Sequence, residues 1–183
     1  SGDQNIQLNK YIKTKKFKNY VTGESNWNYK INIPNFSSHN KDIKIIAKSK
    51  LDGTNINLPE PFKKQRSTKS KTVISAVYKD NEFNDISISY NGIYSKLRSL
   101  NNLNGFIDFS GKTHAMPNNK LNIFGDIELI NIDEWKKING EKKSNINYLE
   151  YVNNINVNIS RLVSNKIILD NFHAEGFLSK NNF

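Results

Sequence analysis

The sequence predicts an all-β fold with mainly antiparallel strands. Segment after segment alternates apolar with polar residues, the period-2 signature of a strand with one buried and one wetted face. The apolar positions are filled chiefly by Ile, Val, Leu and aromatic residues, which suit a pleated surface. Clusters of Asn, Asp, Gly and Lys divide the segments at the spacing of an antiparallel meander. Polar faces persist on nearly every segment, which argues against a parallel sheet covered by helices on both sides.

Taken in order, the clearest strand is Trp27-Asn28-Tyr29-Lys30-Ile31-Asn32-Ile33, where the four apolar residues point one way and the three polar ones the other. The pattern recurs at residues 43–48, 86–90, 121–129 and 155–159. Shorter and less regular strands are expected at 72–78, 93–97, 105–109, 166–169 and 171–178. Helix is expected in two short places only. Residues 10–20 carry Tyr11, Ile12, Phe17 and Tyr20 without a clear period, and Asp133 is placed to cap a turn through Ile138 that stops at Gly140, with a further turn near 148–152. The stretch 59–71, with Pro59, Pro61 and a run of basic residues, reads as an exposed loop.

Composition narrows the function classes. The 27 basic and 17 acidic residues leave a formal charge of +10. Only Arg66, Arg98 and Arg161 are arginines, the residue type suited to bidentate phosphate or base contacts, whereas 31 residues are Asn. The basic residues are spread along the chain, densest at 13–18 and 63–71, so a solvated surface is expected rather than nucleic-acid binding. A polyanion site would require the 63–71 stretch to join a coherent basic surface with aromatic stacking residues. No apolar run approaches the twenty or so residues of a membrane span, and the first residues lack the features of a signal peptide. Ser1-Gly2 at the start and the end at Phe183 are expected of a piece cut from a longer chain.

Chemistry-bearing patterns are sparse. Without cysteine there are no disulfides, thiolate nucleophiles or Cys-ligated metals. His39, His114 and His173 lie in separate segments without metal-ligand spacing, and hydrogen-bonded or solvated imidazoles are expected. No glycine-rich phosphate loop and no Gly-x-Ser-x-Gly elbow occurs. Asp126 and Glu128 fall on the wet face of a strand, with Asp133 and Glu134 at a helix start. The expectation is a non-enzyme with no catalytic residues, no metal and no cofactor.

What the strands offer is an apolar face. Alternation assigns to it Trp27, Tyr29, Ile31, Ile33, Ile43, Ile45, Ile86, Ile88, Ile123, Ile127, Leu129, Ile155, Val157 and Ile159, each opposite a polar neighbour. Periodicity alone leaves open whether this face is the closed core of a compact β-sandwich, serving as a structural or adhesion module without lipid, or the lining of an open groove.

Several motifs bear on that choice. Residues 49–64, Ser-Lys-Leu-Asp-Gly-Thr-Asn-Ile-Asn-Leu-Pro-Glu-Pro-Phe-Lys-Lys, resemble the S-x-L-x-G-x-x-x-x-L-P-x-P-x-x-K segment of the YhdP family of AsmA-like proteins. Upstream, Gly23-Glu24-Ser25-Asn26-Trp27 is similar to that family's Gly-x-x-x-Trp. Downstream, Ala115-Met116-Pro117, then Leu121-Asn122-Ile123-Phe124-Gly125, then Ile132-Asp133-Glu134-Trp135 are similar to its A-x-P, L-x-I-x-G and L-D-x-W series, in the same order. The chain departs from the pattern in its Lys and Asn content and in Thr54, where an apolar residue is common. The resemblance implies that residues 1–183 are a single fragment of a longer periplasmic β-groove, a strongly curved sheet or half-pipe. It implies a parent anchored in the inner membrane that shields phospholipid acyl chains on their way between inner and outer membrane. The implied partners are acyl chains, neighbouring repeats of the same chain and the two membranes.

Overall fold

The computed structural model describes residues 1–10, 18–34, 42–99, 103–139 and 151–177. Twelve strands and one helix form among them: β1 (Gly2–Ile6), β2 (Val21–Gly23), β3 (Ser25–Asn32), β4 (Ile43–Ser49), β5 (Thr54–Ile56), β6 (Thr72–Lys79), β7 (Glu82–Tyr90), β8 (Ile93–Ser99), β9 (Gly105–Asp108), β10 (Leu121–Asn131), α1 (Ile132–Asn139), β11 (Val152–Ser164) and β12 (Ile167–Phe177). A 3-10 turn at Leu8–Lys10 ends where the sequence suggested that helix begins, and residues 11–17 lie outside the described residues. So do His39, Gly140 and most of the turn expected near 148–152, of which Val152 opens β11 instead.

Ten strands form one sheet in the order β1-β3-β4-β6-β7-β8-β9-β10-β11-β12, and β2 pairs with β5 in a separate ribbon. β1 and β12 are not paired to each other, so the sheet is an open, curved one rather than a barrel. No second sheet of comparable size lies against it among the described residues, unlike the layered core of a β-sandwich. The expected segments 166–169 and 171–178 are one strand, β12.

Three connections are two-residue hairpins whose central residues both take positive φ, namely Asp80-Asn81 (51° and 62°), Asn91-Gly92 (48° and 80°) and Asn165-Lys166 (49° and 69°). That backbone matches the right-handed twist of the strands it joins, and Asn, Asp and Gly enter it at least cost.

The meander expectation fails at β9, β10 and β11, which run parallel to one another. Parallel neighbours need crossovers. The first spans residues 109–120, and the second contains α1. Gly125 makes the first possible. Its φ is +103°, and a Cβ there would stand 2.7 Å from Ser110 N and 2.8 Å from Phe109 N. The close approach lets Phe109 N donate to Phe124 O (2.9 Å) and Asp126 N to Ser110 Oγ (2.8 Å), which start the crossover against the strand it will precede. The N-cap of α1 is Asn131, whose Oδ1 accepts from Asp133 N (3.0 Å) and Glu134 N (3.2 Å). This corrects the assignment of Asp133 as cap. Its carboxylate accepts instead from Asn165 N in the β11–β12 turn (2.8 Å), because that turn brings an unpaired amide within reach.

Candidate functional site

Cross-strand register decides which side chains share a face. Paired residues point to the same side of a sheet, so a line of partners can be followed from edge to edge. One such row is Gly2, Tyr29, Ala47, Ile74, Ile88, Ser95, Ile107, Ile123, Ile155 and Gly176, crossing all ten strands. The next row along the strands is Asp3, Asn28, Lys48, Val73, Ser89, Tyr94, Asp108, Phe124, Asn156 and Glu175, on the opposite face. The first row is almost wholly apolar and the second mostly polar.

All thirteen sequence-assigned residues that lie within strands fall on the first face. Ile31 pairs with Ile45, Ile43 with Tyr78, Ile86 with Leu97, and Ile127 with Ile159. Val157 lies beside Gly125 and Leu129 beside Arg161, while Trp27 and Tyr29 alternate with Asn28. Ile33 follows the end of β3. Sequence reading missed Ile74, Ile93, Leu97, Ile107 and Phe172 on this face. Their segments carry apolar residues in both phases, as in Val73-Ile74, Phe106-Ile107 and Ile167-Ile168-Leu169.

The face is not uniform along the strands. On β3 exposure climbs from Trp27 (3%) through half-buried Tyr29 to Ile31 (45%) and, just past the strand, Ile33 (72%). Ile127, Val157 and Ile159 are buried with Phe109 and Ile123 packed on them. The buried end is covered by the loop after β5. Phe62 packs edge-on against Phe109 (6.2 Å between ring centres) and Trp135 of α1 (5.9 Å), and Trp135 Nε1 donates to Glu60 O (3.2 Å). Tyr90 Oη donates to Phe62 O (2.9 Å), and burial together with the Glu60 charge pushes the phenol up to about 12, so it stays a neutral donor.

The residues of the 49–64 motif hold that loop in place. Ser49 Oγ donates to Asn26 O (2.7 Å) and accepts from Leu51 N (2.9 Å), which fixes Leu51 at a φ of 48° with its side chain buried. Gly53, at φ +84°, leaves room where a Cβ would meet Glu24 O at 2.6 Å. Lys64 is 5% exposed, and its Nζ donates to Thr54 O (2.7 Å) and Gln65 O (3.0 Å). Desolvation lowers the pKa of this ammonium, with Asp52 opposing. Pro59 and Ser70 are buried too, so the exposed part of the 59–71 loop narrows to Lys63, residues 65–69 and Lys71. These contacts are internal, which makes the motif a clamp for one end of the apolar face.

On the polar face, Asp108 is buried and accepts from Ser110 N (2.7 Å), Lys112 N (3.0 Å) and the His114 ring (2.5 Å). His114 stacks on Phe124 (4.2 Å). His173 is exposed and hydrogen-bonded to Asn158 (2.8 Å). Asp126 is held by Asn158 (2.8 Å) and Ser110 (2.9 Å), which lower its pKa. No group of three or more His, Asp and Glu among the described residues is placed to hold a metal ion. No helix among them is long and apolar enough to cross a membrane.

No curated protein and no solved structure matches the chain. A profile of the family described as YhdP protein matches residues 2–182, nearly the whole length. With the motif residues found as the clamp of a continuous apolar sheet face, and with the match running essentially from end to end, the chain belongs to the YhdP family.

Proposed function

We propose that the apolar face shields phospholipid acyl chains as they cross the periplasm between the inner and outer membranes, within a longer inner-membrane-anchored protein. The observation that carries this reading is the apolar row running edge to edge across ten strands, with no second sheet of comparable size among the described residues. Acyl chains held out of water are favoured by about 0.8 kcal/mol per CH2, so a trough of Ile, Val and Tyr suffices without a catalyst or cofactor. Half-exposed Ile31 and Ile88 are where the face would meet lipid, while Ile127, Val157 and Ile159, already covered by protein, support the wall. The outer strands β1 and β12 each have one partner among the described residues, and strands of neighbouring repeats would continue the trough there.

The test is a photo-crosslinking residue at Ile31 or Ile88 in the intact protein in cells. Phospholipid should be captured there and not at the outward neighbours Lys30 and Ser87. Equal capture at both sets, or none at either, would reject the shield and favour a closed β-module.

A further inference from the structure

We propose that a lysine-lined cavity on the polar face is a binding site for a phosphate-bearing anion. The cavity, about 680 Å³, is bounded by Asp3, Asn28, Lys48, Lys50, Lys69 and Lys71, with Val73 in its wall. Asp3, Asn28, Lys48 and Val73 are consecutive members of the polar row across β1, β3, β4 and β6, so the floor is rigid sheet. Lysines 69 and 71 come from the end of the clamp loop. Ser70 N donates to Lys50 O (2.7 Å) and Thr72 Oγ1 to Ser70 O (3.2 Å), which pins that end beside Lys48 and Lys50.

Four lysines from two separate stretches thus line one concave site that contains a single carboxylate. That carboxylate, Asp3, accepts from Asn28 Nδ2 (2.8 Å). Lys69 is 3.4 Å from Asp52, outside the cavity lining. Lys48, Lys50 and Lys71 form no ion pair with a described residue. Three lysines without an ion-pair partner against the one carboxylate of Asp3 leave an excess of positive charge around the site, which lowers the free energy of an incoming anion. Lysine serves phosphate as a point charge, and a cavity of this size takes a body larger than one phosphate. Lysine stems and Val73 make the walls, and no aromatic ring is present on which a base could stack. The ligand class is therefore a phosphoester, either soluble or presented as a headgroup.

Two probes separate these sources: pyrophosphate titrated in solution, and cosedimentation with phosphatidylcholine vesicles with and without phosphatidic acid. At least one should bind, and Lys48→Gln with Lys71→Gln should weaken it by about tenfold or more. The control pair Lys30→Gln with Lys44→Gln removes the same charge from the same face outside the cavity, and should change binding by less than about threefold. Pyrophosphate binding assigns a soluble phosphoester, and binding to phosphatidic acid vesicles alone assigns a headgroup. In the unaltered chain, the ligand should shift the backbone amide signals of residues 48–50 and 69–71 ahead of those near Lys30 and Lys44. Binding of neither probe, equal losses in the two pairs, or amide shifts spread over the whole polar face would overturn the proposal. Because the cavity opens opposite the apolar face, this result is independent of lipid capture at Ile31 or Ile88.

Discussion

At the residue scale the most constrained ionisable group is Asp108. Burial opposes its charge, but hydrogen bonds from His114, Lys112 N and Ser110 N outweigh that cost and hold the carboxyl below its ordinary value. A carboxyl whose pKa is lower in the folded chain stabilises the fold above the ordinary carboxylate range, and that contribution disappears as the pH falls through the folded value. Asp108→Asn should therefore cost about 2 kcal/mol at neutral pH. In urea denaturation the gap between the two proteins should narrow as the pH falls below the ordinary carboxylate range. A gap unchanged by pH would show that the shape of the side chain matters and its charge does not. Sequence reading foresaw a hydrogen-bonded or solvated imidazole at position 114, but nothing in the separation of Asp108 from His114 says that the crossover folds one onto the other.

At the element scale, alternation located five of the ten strands of the main sheet, because each buries one face and wets the other, and clusters of turn residues bounding less regular apolar runs located four more. The exception, β1, is a short edge strand with polar residues in both phases, and β2 and β5 have only three residues each. Parallel pairing of β9, β10 and β11 was illegible for another reason, since it depends on where a crossover packs and not on strand pattern. Gly125 is the residue through which it can be tested. Gly125→Ala would place a Cβ against backbone nitrogens at a positive φ and should cost about 3 kcal/mol or more. Gly92→Ala, also at positive φ but with open space around it, should cost about 1 kcal/mol. Thermal melts should separate the two by several degrees, at roughly 2–4 °C per kcal/mol for a chain of this size. Similar melting temperatures would count against the close crossover.

At the scale of the whole molecule, the apolar face along β3 is closed at the clamp end and exposed at the other, whereas Ile86 at the far end of β7 is buried. Strand β3 samples both conditions. Trp27→Ala, in the covered part, should cost about 3–5 kcal/mol, whereas Ile31→Ala, on the same face two turns of the pleat away, should cost about 1 kcal/mol or less. Comparable losses for the two in denaturant unfolding would mean that the face is uniformly buried, as in a sandwich. The low cost expected at Ile31 agrees with the proposed lipid contact, since much of its apolar surface is not used by the fold.

The order of residues by itself determined the all-β class, the identity of the apolar face and the family, because alternation, strand propensity and spaced motifs are local properties of the chain. Trp27, Ile45, Ile88 and Ile155 could be assigned to one side without knowing their neighbours. Only the tertiary structure decided that these sides join into one row, that the 49–64 motif clamps one end of it, and that lysines from residues 48–50 and 69–71 meet around one cavity. Those outcomes depend on strand order, register and loop packing, which are contacts between distant residues, and an alternating pattern carries the same signal whichever strand lies beside it.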